Sequence, residues 1–152
     1  MSSESGTASW LSCTDGVATR MEDLWILVAR VTFGVIFVVY GWPKLMNISG
    51  FAAGMPARGL PVFLGYIAPF VELFGGLFII FGFATRYSAL FLIAFVLIAT
   101  FSSHRYWAVD PAQYGAQKIN FFKNIAMLAG GIMLYVTGGG KYAVDAMLGR
   151  KS

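Results

Sequence analysis

Seven side chains in this sequence could do chemistry: Arg30, Tyr40, Lys44, Glu72, His104, Lys123 and Asn124. Glu72 interrupts "APFVELFGGLFIIFG", a stretch that otherwise suits hydrocarbon. A lone charge near the bilayer centre costs at least about 2.5–3.5 kcal/mol, so such a carboxylate must be paired, wetted or used. Lys123 and Asn124 likewise lie in an apolar run, and Tyr40, Lys44 and His104 fall near the ends of such runs. Together these groups offer hydrogen-bond donors and one protonatable carboxylate beside apolar walls, which is what a quinone headgroup or a small anion requires. For Lys44 and His104, snorkelling and interface anchoring are sufficient explanations of their positions.

Other chemistries are limited by residue supply. Cys13 is the sole cysteine and His104 the sole histidine. The chain alone therefore cannot supply a disulfide, a CxxC pair, a cysteine-held iron–sulfur cluster or a bis-histidine haem. No metal site and no bound cofactor are expected from this chain alone, a quinone excepted, and a stand-alone enzyme is not expected.

The elements that must position these residues follow from composition. The chain has 152 residues, 58% hydrophobic and 12% charged, with a mean hydropathy of +0.71. Soluble domains carry about 25% charged residues. Four apolar segments, about 24–42, 62–82, 87–102 and 121–138, are each near the length of a membrane span. In lipid such runs must be helices, because nothing else satisfies the backbone. The expected fold is an all-α membrane protein, a bundle of four transmembrane helices over residues 24–148. A polar tail, 1–23, is expected to be disordered, and a short basic tail, 149–152, closes the chain. The tail 1–23 holds four acids and one base, Arg20, and so lacks the basic start of a signal peptide. The connection between Pro43 and Pro61 reads as a long Gly- and Pro-rich loop.

Helical spacing assigns packing faces. Arg30, Gly34, Phe37, Gly41 and Lys44 share one stripe, as do Gly65, Ala68, Glu72, Gly75, Ile79 and Gly82. Small residues on these stripes, with Gly76, Gly130 and Gly131, allow close helix approach. Arg30 and Glu72 enter from opposite sides and are expected to meet if their helices are neighbours, either as a register-fixing bridge or as part of a polar pocket. The third span, rich in Leu, Phe, Ile and Val, reads as the most lipid-facing. Asp145 reads as a helix-end or lipid-headgroup contact.

The net charge of +4 is scattered, with no basic stripe, so the bilayer and not nucleic acid is the expected partner. Four spans place both termini on one side, and the Lys and Arg distribution slightly favours the cytoplasm for them.

Arg30 with "GVIFVVYGWPKL", "GLP" at 59–61, "VELFGGLFIIFGFATR" and "KNIAMLAGGIMLYVTGGGKYAVDAML" resemble the DoxX family of small four-helix membrane proteins. The resemblance covers about residues 24–148 and supports Arg30, Gly41, Lys44, Glu72, Gly75, Gly76, Arg86 and Asp145 as family-type positions. It implies a four-helix bundle in a bacterial inner membrane and an association with membrane oxidoreductase systems, including quinone-linked ones. The expected role is a subunit of, or accessory to, such a system, with other membrane subunits or a second copy as partners. A non-catalytic assembly subunit is the alternative, and a small-solute or lipid transporter a more distant one, since no inverted repeat is visible.

Overall fold

The computed structural model describes residues 7–149, with side chains from Thr14 onward. Every described element is helical: α1 (Thr7–Arg20), α2 (Glu22–Met46), α3 (Ile48–Ala53), α4 (Val62–Phe81), α5 (Thr85–Ser103), α6 (Pro111–Thr137) and α7 (Val144–Met147). Four of these, α2, α4, α5 and α6, are long and apolar enough to cross a membrane. They pack in a closed ring, α2 on α4, α4 on α5, α5 on α6 and α6 on α2. The all-α four-span bundle expected from hydropathy is the observed architecture.

Its centre is a cluster of Phe33, Phe37, Ile79, Ala89, Leu92, Val96 and Leu134. Glycines set the closest approach, between α2 and α4. A Cβ on Gly34 would lie 2.6 Å from the Gly76 carbonyl oxygen, and one on Gly76 would lie 2.8 Å from the Gly34 carbonyl oxygen. Gly65 meets Ala52 of α3, Gly75 meets Leu92 of α5, and Gly130 and Gly131 meet Phe33.

Several boundaries differ from the hydropathy reading. Residues 7–20, expected as disordered, form α1, whose backbone bonds run on into α2 through Met21 N–H to the Val17 carbonyl at 3.0 Å. Polarity alone does not prevent a helix where only Gly16 interrupts it. Pro43 lies inside α2 and does not end it. In the last turn a proline removes a single ladder bond, and its own carbonyl still accepts from Asn47 N–H at 3.2 Å. Helix α6 starts ten residues before its apolar run because Pro111 sits at its first turn, where a missing N–H costs nothing. The polar segment 111–120 is therefore helix and not loop. The lipid-facing assignment of the third span is also corrected. Helix α5 buries Thr85, Ser88, Ala89, Leu92, Val96 and Thr100, whereas the longer α6 buries only Asn124, Gly131 and Leu134.

The connection between α2 and α4 is folded into the bundle. It comprises α3 and a 3-10 turn, Pro56–Arg58, with Ala52 and Met55 buried. This segment caps the end of the bundle away from the termini, here called the loop end.

Candidate functional site

The site at the loop end starts from a glycine. A Cβ on Gly41 would lie 2.9 Å from Leu73 N and 3.3 Å from Glu72 Cβ, so only glycine lets α2 lie this close to α4. Lys44 follows three residues later, on the same face of α2. Its Nζ donates to Glu72 Oε2 at 2.6 Å. The two partners differ in burial: the Glu72 side chain is 6% exposed and that of Lys44 is 29% exposed. The pair thus joins a buried carboxylate to a cation that reaches open space.

Lys123, on α6, adds a second positive charge acting on Glu72. Its ammonium sits 4.9 Å from the Tyr40 ring centroid and donates to Asn120 Oδ1 at 3.2 Å. Asn124, the next residue, is buried. Tyr40, Lys44, Glu72 and Lys123 therefore form one chain of contacts and fields across α2, α4 and α6.

Lys44 also lines a cavity of about 480 Å³ between α4, α5 and the folded connection. That volume falls within the roughly 300–1,000 Å³ of small-molecule sites. The walls are apolar, among them Leu64, Ile67, Val71, Phe91, Phe95 and Ile98. The polar groups, Lys44, Arg58, Ser102, Ser103, His104 and Gln117, come from the loop end. His104 follows the last turn of α5, and its Nδ1 lies 2.8 Å from Gln117 Oε1. From Ser103 to Phe91 the wall runs twelve residues along α5, about 18 Å at the helical rise. The result is a slot with donors at its mouth and hydrocarbon beyond.

Arg30 is not part of this site, and the expected Arg30–Glu72 contact is not made. Gly41 is level with Glu72, whereas Arg30 packs beside Gly82 and Ala143. Eleven residues separate positions 30 and 41 of α2, about 16 Å along the axis. Arg30, 1% exposed, instead donates from Nη2 to the Tyr142 carbonyl. It also lies in the field of Asp145. Asp145 is a helix-end contact. Its carboxylate accepts from Ala84 N–H at 2.8 Å, Thr85 N–H at 2.7 Å and Thr85 Oγ1 at 2.9 Å, and so caps α5. Arg86 donates to the Tyr135 carbonyl at 3.0 Å.

Sequence reasoning did not bring Arg58, Phe51, Ser102, Ser103 or Gln117 to the site. Arg58 and Phe51 lie in the connection that reads as a loop, and Gln117 lies in the unrecognised first turns of α6. The available signal was the apolar content of that connection, Phe51, Met55 and Leu60, which exceeds what a solvated loop requires.

The DoxX family profile matches residues 25–105. The chain is 36% identical over 132 residues to "Inner membrane protein YqjF" of Escherichia coli (strain K12), covering 87% of this chain and 98% of that protein. It is 31% identical over 122 residues to "Inner membrane protein YphA" of the same organism, covering 79% and 87%. A shorter match, 38% over 64 residues, covers 42% of this chain and 48% of "Putative oxidoreductase CatD" of Bacillus subtilis (strain 168). No solved structure matches.

Proposed function

This chain belongs to the DoxX family, and from that premise we propose that it is a small inner-membrane subunit or accessory of an oxidoreductase system. In this reading it contributes a pocket for a quinone headgroup, and both termini face the cytoplasm. The observation that carries the proposal is the Lys44–Glu72 pair, one partner buried and the other opening onto the 480 Å³ slot. The inner-membrane relatives support the location, and the partial likeness to a protein named as an oxidoreductase supports the redox association.

The residues fit a quinone by type. Lys44 Nζ, partly exposed at the cavity mouth, would donate a hydrogen bond to a headgroup oxygen. When a bound quinol gives up a hydroxyl proton, Lys44 would take it as it passes its own to Glu72, a short step behind, whose carboxylate would hold it. The apolar wall excludes water and accommodates a hydrocarbon tail. The quinone supplies the electron chemistry when bound, and a partner subunit carries the electrons to or from it.

The alternative, a purely structural subunit, is favoured by the glycine contact of α2 with α4 and by the Asp145 cap, both of which are packing devices. One experiment separates the two. The wild type and Glu72→Gln are purified from native membranes in mild detergent, and co-purifying quinone and subunits are quantified by mass spectrometry. Quinone retained by the wild type and lost from Glu72→Gln supports the pocket. Equal retention of partners with no quinone in either preparation supports the scaffold.

A further inference from the structure

Arg58 completes the mouth of the slot and is, among the described residues, the cation there that the site chemistry above leaves unused. We infer that the slot takes an amphiphile whose head carries an anionic oxygen, with Arg58 as the residue that selects it. The inference rests on the reading of the slot as a ligand pocket and concerns a second class of ligand, since a quinone headgroup is neutral and the head inferred here is anionic.

The backbone fixes where Arg58 stands. Its own N–H donates to the Met55 carbonyl at 2.9 Å, and Met55 is buried beneath it. Gly59, at φ +72°, then reverses the chain, with its N–H on the Pro56 carbonyl at 2.9 Å and Leu60 N–H on the Met55 carbonyl at 3.1 Å. The turn is thus closed by three backbone bonds around a buried methionine, and the guanidinium is held against the Phe51 ring, Cζ 5.1 Å from its centroid. Lys44 Nζ lies 5.4 Å from the same centroid. Two cations therefore share one aromatic ring at the cavity mouth.

Their charges are met differently. Lys44 has Glu72. Arg58 lines the cavity and makes no salt bridge to a carboxylate among the described residues. Among the described residues, no aspartate or glutamate lines the cavity. A guanidinium without a counter-charge beside apolar walls is costly, and a carboxylate or phosphate oxygen is the ligand that pairs best with it. A neutral headgroup would satisfy one N–H and leave the charge uncompensated. The apolar wall behind Arg58 adds the second half of the specification, a hydrocarbon tail, and a free small anion would leave about 18 Å of that wall without a partner.

The test uses the full chain in uncharged maltoside micelles with three probes: a 16-carbon fatty acid, its methyl ester and acetate. Binding is measured for the wild type, Arg58→Gln and Arg58→Lys, with melting temperature as a check on folding. The fatty acid should bind the wild type about tenfold tighter than the ester, the ratio expected of one charge-assisted hydrogen bond. Arg58→Gln should abolish that ratio without lowering ester binding, and Arg58→Lys should retain most of it. Equal binding of acid and ester to the wild type, or a ratio that survives in Arg58→Gln, overturns the inference. Acetate binding as tightly as the fatty acid overturns its amphiphile half. If neither long-chain probe binds while quinone retention still depends on Glu72, the inference fails and the pocket reading stands. If quinone retention is absent as well, both fail.

Discussion

The two ends of the bundle each bury a carboxylate beside a basic residue, and they use it in opposite ways. At the terminal end Asp145 accepts from two backbone N–H groups and the Thr85 hydroxyl, and Arg30, 1% exposed, is held by the Tyr142 carbonyl. That carboxylate joins the last short helix to the first turn of α5. At the loop end Glu72 accepts from the Lys44 side chain, which is 29% exposed and lines a cavity. Charge burial alone therefore does not mark a functional site. What separates the two ends is whether the partner set is made of backbone or opens onto space that a ligand can fill.

The sharpest way to break this comparison is at Asp145. Replacing it with Ala orphans three donors at the start of α5, so Asp145→Ala should cost about 3 kcal/mol or more. Thermal unfolding in detergent should show a large drop in melting temperature, and quinone content per folded molecule should be unchanged. A variant that melts normally but loses ligand would reverse the roles assigned to the two ends.

Between the ends, the α2–α4 contact should respond next. A methyl group at Gly34 would meet the Gly76 carbonyl at 2.6 Å, and backbone cannot move aside cheaply. Gly34→Ala should therefore cost about 1–3 kcal/mol by overpacking. Because this contact also sets the spacing of Lys44 and Glu72, the variant should weaken ligand retention as well. Unfolding and retention measured on the same preparation decide whether the contact serves both ends or only stability.

Glu72→Gln is expected to behave oppositely to Asp145→Ala. It keeps the shape and a hydrogen-bond acceptor, and the freed Lys44 can turn toward water, so the stability cost should be about 1 kcal/mol or less. Quinone retention should nevertheless fall by about tenfold, because Lys44, no longer held by Glu72, ceases to present its ammonium to the headgroup. A large stability loss with intact retention would make Glu72 a strut like Asp145.

How much of this was legible in the sequence depends on the kind of signal. The four spans follow from hydropathy, and the α2 stripe of Arg30, Gly34, Phe37 and Gly41 is buried as its spacing predicts. Partner choice is not periodic information. Arg30 and Glu72 share neighbouring helices, yet the offset between α2 and α4 is fixed by which glycines interlock, and that offset pairs Glu72 with Lys44. Helix limits were lost where propensity and hydropathy disagree, as in α1 and in the first turns of α6. Arg58 was lost because a segment rich in Gly and Pro can be either a solvated loop or a folded cap, and only tertiary contacts of Ala52 and Met55 decide.

The smallest effect tests how far the loop-end site extends. Tyr40 is 52% exposed, and its ring holds the Lys123 ammonium at 4.9 Å. A cation over an aromatic face at such a site is worth about 0.5–1 kcal/mol, so Tyr40→Leu should cost that much and Tyr40→Phe almost nothing. If Lys123 acts on Glu72 only through its field, loosening it should shift quinone retention by less than about threefold. A loss as great as that of Glu72→Gln, present in Tyr40→Leu and absent in Tyr40→Phe, would make the aromatic hold on Lys123 part of the site itself. The loop end would then be a three-helix site, with α6 contributing as directly as α2 and α4.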